Sequence, residues 1–539
     1  MTGSSRFIIV NNIKLPVNAS VEEAFSVAKS RLSRIGITVS YRHLSIYRRS
    51  IDARRRDNIL FVYSVAAFGQ FGAISRERLA SADMSLVEIT DGLSPEIGAE
   101  RLSYPPVIVG SGPAGIFAAL LLAERGYRPI VIERGGSVKD RQAAVRRLSE
   151  ERILDGETNI QFGAGGAGTF SDGKLVTRIN DRLTSYVIER FIEFGADESI
   201  RYIAKPHVGT DVLSGIVERM LDRILELGGR VEYNTKFLRP KSSHGQVVAA
   251  VTSRGEIPTD ALILAIGHSA RDTYEELLRE QMNILPKDFS VGMRIEHLAQ
   301  DIDRSLYGSF EGHPALGHAE YNLSYDTKNR GVYTFCMCPG GEVVAAASES
   351  GGVVVNGMSY NDRGGKNSNS AVVCSIFRSD YGNTPRAAIE FQRKIERAAF
   401  VAAGSDFSAP IVTVGDFLRG ECRTEPGRIT PTYMDGQGVR LVSPDEYLPE
   451  IVTASIRNAL PAFDKRIAGF AASDAVLTGP ETRTSSPIRM VRDNDTRLAT
   501  GYANLYPIGE GAGYAGGITS AAVDGIKTAL TIIQKYAPI

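Results

Sequence analysis

The strongest chemical signal in the chain is the segment VIVGSGPAGIFAALLLAERGYRPIVIERG, residues 107 to 135. Gly110, Gly112 and Gly115 set a G-x-G-x-x-G spacing between an apolar run, Val107 to Val109, and a helix-forming stretch opened by Pro113 and Ala114. Each glycine has a mechanical reason. Gly110 permits a tight turn, Gly112 lets a pyrophosphate approach the backbone, and Gly115 lets the helix pack closely on the strand. A helix starting there offers phosphates its free N–H groups and the positive end of its dipole. A second apolar run, Pro129 to Ile132, ends in Glu133 and Arg134, and Glu133 lies 133 − 115 = 18 residues past Gly115. An acid at that distance can accept hydrogen bonds from ribose hydroxyls. Strand, glycines, helix, strand and acid in this order predict a dinucleotide site.

Two further glycine clusters point the same way. In Gln161 to Lys174 (QFGAGGAGTFSDGK), Gly163, Gly165, Gly166 and Gly168 allow backbone to lie against a flat ligand. Thr169, Ser171 and Lys174 can hydrogen-bond that ligand or place a positive charge beside it. In Asn504 to Ser520, a strand-like run ends at Glu510 and glycines, Gly516 and Gly517 last, lead into a helix that starts near Ile518. Between the clusters, DALILAIGHSARD (260–272) reads as a buried strand ending at Gly267 and His268. His268 is a candidate proton donor, against the plainer reading of a structural strand-end histidine.

The GSGPAG and ERG pair resembles the adenine-dinucleotide motif of the glutathione-reductase-like FAD proteins. Together with KPHVGTD (205–211), RGVYTFCMCPGGEVV (330–344), NGMS (356–359), ETRTSSPIR (481–489) and YPIGEGAGYAGGITSAAVDGI (506–526), the chain resembles a family of uncharacterised FAD-dependent dehydrogenases. The resemblance implies FAD as cofactor, with Gly267 beside its phosphates and Glu510 near its ribityl or pyrophosphate region. Glu510 stands where the superfamily usually has Asp. The helix after Gly517 would point at the pyrimidine edge of the ring, where its dipole stabilises anionic reduced flavin.

These motifs must be positioned by the rest of the chain. The expected architecture is α/β: a discontinuous Rossmann-like FAD-binding domain (96–284 and 476–539) with an inserted β-rich substrate or cap domain (285–475). A small α+β, ferredoxin-like domain (1–95) precedes it. Its capping box Ser20-Val-Glu-Glu23 starts an amphipathic helix. A linker, Asp91 to Pro106, ends in a proline pair.

A separate NAD(P)H domain is not expected, since there is no second G-x-G-x-x-G between strand and helix. Electrons then come from substrate, from NAD(P)H visiting the flavin, or from a partner protein. Cys336 and Cys338, at i, i+2 on an alternating strand, share one face and read as core cysteines rather than a redox pair. Arg294, Tyr333, Arg423 and Arg483 are candidate contacts for a small-molecule substrate, although Arg294 and Glu296, also on one face, can neutralise each other. His207 and His297 join His268 as candidate proton carriers.

Composition bounds the alternatives. Of 539 residues, 54 are glycine, about a tenth against a usual ~7%. Lys+Arg and Asp+Glu are 62 each, so the net charge is zero, and a globally basic nucleic-acid binder is not expected. Nine Lys or Arg against one acid between Lys29 and Arg56 keep a local docking surface, and with it tRNA-linked modification, as an alternative. Flavin hydroxylation is another. Four cysteines without metal spacing predict no metal site and a reducing, cytoplasmic setting, and no apolar run reaches membrane length.

Overall fold

The computed structural model describes residues 6–69, 71, 74–88, 93, 95–177, 181–326 and 330–539. Residues 91, 92 and 94 of the expected linker lie outside them.

The N-terminal unit runs strand Arg6–Pro16, helix Val21–Arg34, strands Leu44–Asp52 and Leu60–Phe68, helix Arg76–Ser81 and strand Met84–Glu88. Its antiparallel sheet has Leu60–Phe68 and Arg6–Pro16 in the middle, flanked by Leu44–Asp52 and Met84–Glu88. Ser20 and Glu23 form the capping box reciprocally, and Ala24, Ala28 and Leu32 bury one helix face. Much of the basic stretch is partnered locally. Arg54 pairs with Asp52 and Arg55 with Asp57, Arg31 donates to the Asn11 carbonyl, and Arg49 lies over Phe61 and Tyr202. The Arg49 backbone also bonds Tyr202 and Ala204, which docks this unit beside the segment that carries His207.

A five-stranded parallel sheet organises the nucleotide motifs, in the order Leu505–Pro507, Leu262–Leu264, Val107–Val109, Ile130–Ile132, Arg230–Glu232. Its central three-residue strands are wholly apolar because both faces are covered, one by helices and the other by a three-stranded antiparallel sheet (residues 237–258) with helix Arg271–Arg279. All five strands run the same way, so the turns after Val109, Ile132, Leu264 and Pro507 open on one edge. Helix Pro113–Glu124 packs against helix Ile518–Lys535, and a Cβ on Gly525 would stand 2.1 Å from the Ala114 carbonyl oxygen. That close approach brings the tail of the chain onto the first nucleotide turn.

A seven-stranded, mainly antiparallel sheet faces this edge, in the order 324–326, 331–338, 367–376, 289–298, 476–481, 409–413, 439–441. Its strand Val476–Glu481 comes from beyond the boundary expected at 475, so the inserted sheet closes with a strand from the returning chain. Phe289–Leu298 is buried on both faces through His297. Alternation there marks no solvent side, and charged residues on it must find partners inside.

Candidate FAD site

One cleft runs from the Gly110 turn, past Gly267, to Gly509–Glu510 and Gly516–Ile518, and then against Phe335 and Cys336 of the inserted sheet and Asn356 of an adjoining two-stranded hairpin. The glycines along it divide by what a side chain would meet. At Gly110, φ is +99° and a Cβ would lie 2.4 Å from the Ala265 oxygen; at Gly115 a Cβ would lie 2.0 Å from the Gly110 oxygen. Those two are required by the protein's own packing, and Gly115 serves helix–strand contact rather than the cleft. Gly112 differs: its backbone is extended (φ −71°, ψ 178°), and a Cβ would meet only Gly166 Cα at 3.9 Å. Nothing in the protein demands glycine there. Gly516 has no atom within 4 Å of a built Cβ, and Gly517 has only the Ser520 hydroxyl at 4.0 Å. Bare backbone at 112, 516 and 517 therefore keeps the cleft open for a ligand.

Both flanking helices start uncapped by side chains. The first intrahelical bonds are Ile116 N to Gly112 O and Ala521 N to Gly517 O, both 2.9 Å. This leaves the N–H groups of Ala114, Gly115, Ile518, Thr519 and Ser520 outside the helical ladder, at two positive dipole ends.

Glu133 is buried with its carboxylate engaged. One oxygen accepts from the Ser111 N–H (2.9 Å) and Oγ (2.7 Å), the other from the Gly135 (3.1 Å) and Gly163 (3.0 Å) N–H groups. A carboxylate has about four acceptor sites, and the protein's own donors use all four at Glu133. Glu133 thus braces the first turn against the 161–174 loop. Arg134 also lines the cleft but is committed, with Asp272 at 3.0 Å, Glu157 at 2.7 Å and the Phe162 ring 4.0 Å away. Gly166 and Ser171 line the cleft, Ser171 donating to the Gly168 oxygen at 2.7 Å. Gly165 and Thr169 sit behind, where a Cβ on Gly165 would meet the Thr169 hydroxyl. The Lys174 ammonium reaches across to the Met337 carbonyl, tying this loop to the inserted sheet.

Glu510 faces the cleft, and burial pushes its carboxyl up to about 7, partly opposed by Lys287 and reinforced by Cys336. The proton bound by the folded chain between pH 4.5 and about 7 has already left the unfolded chain, so this side chain's contribution to stability falls as pH rises through that window. Glu510→Gln is expected to flatten the pH dependence of thermal stability of the flavin-stripped chain and raise its midpoint at pH 8. Calorimetry from pH 5 to 8 checks this; parallel profiles refute it.

The three histidines separate. His268 lines the cleft, with Nδ1 2.8 Å from the Ser269 Oγ. Burial, with the Arg483 and Arg271 charges, holds its imidazole down at about 3. Held neutral in this way, His268 fits the structural strand-end reading better than that of an acidic proton donor. Flavin reduction rates should accordingly show no inflection near pH 6.5 that His268→Asn removes, as a stopped-flow pH series measures. His297 is not in the cleft; its Nε2 is 2.7 Å from the Phe470 oxygen in the core of the inserted sheet. His207 does not line it either, and stands among Arg363, Asp172 and Glu320 with burial lowering its pKa.

The expected substrate contacts are redistributed. Arg423 is on the surface, paired with Glu421 at 2.7 Å and remote from the cleft. Arg294 lies behind the cleft wall, fully buried and bonded to Glu481 (2.9 Å), Asn369 (2.7 Å) and the Cys336 carbonyl (3.0 Å). Glu296 does not neutralise it; that carboxylate accepts from Thr432 and Asn367 instead. Tyr333 bonds Ser290 at 2.7 Å outside the lining. Arg483 alone of the four lines the cleft, and its guanidinium is shared with Glu396 (3.1 Å) and Ser348 (2.5 Å).

Sequence reasoning missed the far wall, Phe335, Cys336 and Glu481 from the inserted sheet and Asn356 from the hairpin of Glu342–Ala345 with Val355–Met358. It also missed Arg141, a fully buried guanidinium beneath the glycine loop. Among the described residues no cluster suits a metal ion, and no helix is long and apolar enough to cross a membrane.

The geometry agrees with what the chain resembles. Residues 103–146 match an FAD binding domain, 288–484 the C-terminal domain of FAD-dependent proteins, and 8–68 a domain of unknown function. A protein of Clostridium beijerinckii described only as uncharacterized is 44% identical over 534 residues, 98% of this chain and 99% of the relative. The chain belongs to this family of FAD-dependent proteins. Its cofactor is FAD, and the open glycines with two free helix N-termini along one cleft fit that group. Among solved structures, L-amino acid deaminase from Proteus vulgaris is 13% identical with a TM-score of 0.33, covering 83% of this chain and 96% of that one. Glycine oxidase from Bacillus cereus is 11% identical with a TM-score of 0.30, covering 80% and 95%.

Proposed function

We propose that this FAD-dependent protein is a cytoplasmic oxidoreductase acting on a small organic substrate held between the parallel-sheet edge and the inserted sheet. The observation that carries this reading is a single cleft with bare backbone from three distant segments on one side and the side chains of the inserted sheet on the other. FAD supplies the redox chemistry, a hydride accepted or donated at N5. The chain supplies the rest. The Pro113 and Ile518 helix N-termini offer N–H groups to negative charge, at the phosphates and at the pyrimidine edge of the ring. Glu510, near half-protonated at neutral pH, can hold or release a proton inside the cleft. Phe335 and Asn356 narrow it against water.

In domain terms, 96–284 with the tail of the chain hold the cofactor, 285 to about 484 cover it, and the ferredoxin-like N-terminal unit buttresses the cover. The test is anaerobic mixing of the flavin-loaded protein with NADH, NADPH and a panel of amines, hydroxy acids and thiols. Bleaching of the flavin by at least one at a saturable rate is expected. A protein that holds FAD and is bleached by none is a flavin-binding scaffold and overturns the reading.

A further inference from the structure

The i, i+2 spacing of Cys336 and Cys338 predicts two thiols on one face of a regular strand, with Cα atoms ~6.8 Å apart. That is the outer edge of the ~4.4–6.8 Å a disulfide accepts. The strand is not regular there. Cys336 has φ +45°, and pairing with Asn367–Ile376 slips between Phe335 and Cys338. A non-glycine residue in the left-handed region is held by its surroundings at a cost. Here the surroundings are visible: the Arg294 guanidinium donates to the Cys336 carbonyl at 3.0 Å and the Lys174 ammonium to the Met337 carbonyl. Two cations clamp consecutive carbonyls of the bulge.

The bulge does two things. It turns Cys336 out of the core onto the cleft wall, while Cys338 stays buried. It also folds Cys338 back toward Cys336, so that its thiol donates to the Cys336 carbonyl oxygen at 3.3 Å. Arg294 completes the setting, with Nη1 3.9 Å from the Cys338 sulfur. The adjoining Cys338 thiol, with the Arg294 and Lys174 charges, lowers the Cys336 thiol below its ordinary range against the opposing effect of burial. Thiolates in such electropositive, partly open settings are the reactive ones. Cys374, by contrast, is buried with its pKa raised, and Cys422 lies far off in the surface segment after helix Val414–Arg419.

We infer that Cys336 and Cys338 form a dithiol–disulfide couple that exchanges two electrons with the flavin of the same cleft. The inference rests on the FAD reading of that cleft. The step balances without another reactant. The Cys336 thiolate and the Cys338 thiol join in one S–S bond, and the Cys338 S–H bond breaks. Two electrons and that proton pass to oxidised flavin, giving its anionic reduced form beside the Ile518 helix N-terminus. Reversed, reduced flavin opens the disulfide. This gives the family member a thiol or disulfide as its co-substrate class, exchanging with Cys336 at the cleft wall.

The experiment uses the full-length, flavin-loaded protein, with FAD per chain measured first. It is equilibrated anaerobically in buffers of graded reduced to oxidised dithiothreitol, quenched in acid with a maleimide, and mapped by peptide mass. Expected is a 336–338 peptide that moves from two alkylated thiols to an unalkylated form about 2 Da below the mass of the free dithiol, while Cys422 stays alkylated throughout. Cys336→Ser and Cys338→Ser should each keep one FAD per chain and slow flavin bleaching by dithiothreitol at least tenfold. One FAD per chain with both thiols alkylated in every buffer, or unchanged bleaching in both variants, overturns the couple and leaves the FAD reading intact. A chain that binds no FAD overturns both.

Discussion

Gly112→Val purifies folded and colourless. The valine Cβ enters at an extended residue that precedes a proline, a conformation any residue adopts, and Gly166 Cα at 3.9 Å is all it meets. Its methyl groups then project into the space a pyrophosphate must occupy over the Pro113 helix. Thermal stability without FAD is expected to stay within about 1 kcal/mol of the parent chain, as for a substitution that breaks no core contact. FAD affinity should fall at least a hundredfold, because backbone N–H groups cannot reach phosphate through a side chain. Gly115→Val gives the opposite pattern, since its Cβ would overlap the Gly110 carbonyl and force the helix off the strand. That variant should be poorly soluble or melt well below the parent. Flavin absorbance per chain, read beside calorimetry of the stripped proteins, separates the two. A yellow Gly112→Val variant with full FAD content refutes the placement of the phosphate loop.

That contrast also separates what the chain's local order dictates from what only its folding brings together. Gly110, Gly112 and Gly115 are legible because strand, turn and helix are contiguous, and the turn's backbone demands act over six residues. Gly516, Gly517 and Ile518 are legible for the same reason. The far wall of the cleft is not. Phe335 reaches it through pairing with Ala371, Asn356 through a hairpin with Glu342–Ala345 folded over the sheet, and Val476–Glu481 joins the inserted sheet from the returning chain. Charged residues on Phe289–Leu298 mislead because both faces of that strand are buried, so Arg294 can as well brace a bulge as meet a substrate. Cys336 is the sharpest case. Alternation places it with Cys338, and only a positive φ, fixed by cations from two other segments, puts it on the cleft. Glu133 shows the converse: its position is foreseen from spacing, yet its carboxylate is taken by the very loops it stands between.

Arg141 carries the second large effect, and it sits on a helix whose sequence reads as an ordinary polar surface. Helix Val138–Glu151 turns it inward, and the guanidinium donates to four loop carbonyls: Asn159 (3.1 Å), Ile160 (2.9 Å), Ala164 (2.5 Å) and Gly166 (3.0 Å). It lies over the Phe170 ring at 4.7 Å, and a Cβ on Gly163 would stand 2.3 Å from its Cδ, so the loop is wound directly on this side chain. Burial lowers its pKa to about 10, against the pull of Glu133, which leaves it charged at neutral pH. Arg141→Met keeps much of the volume and removes every donor. Four buried carbonyls then lose their partner at ~1–3 kcal/mol each where water cannot replace it, so a loss of at least about 3 kcal/mol is expected. Because Gly166 belongs to the cleft, FAD affinity should fall with stability, unlike the uncoupled loss at Gly112. Arg141→Lys restores the charge without the planar fork that spans four acceptors, and should recover only part of either property. Urea unfolding and FAD titration of the three proteins test this. Parent-like stability and affinity in Arg141→Met would mean that the loop holds its shape from its own glycines, with the guanidinium as passenger.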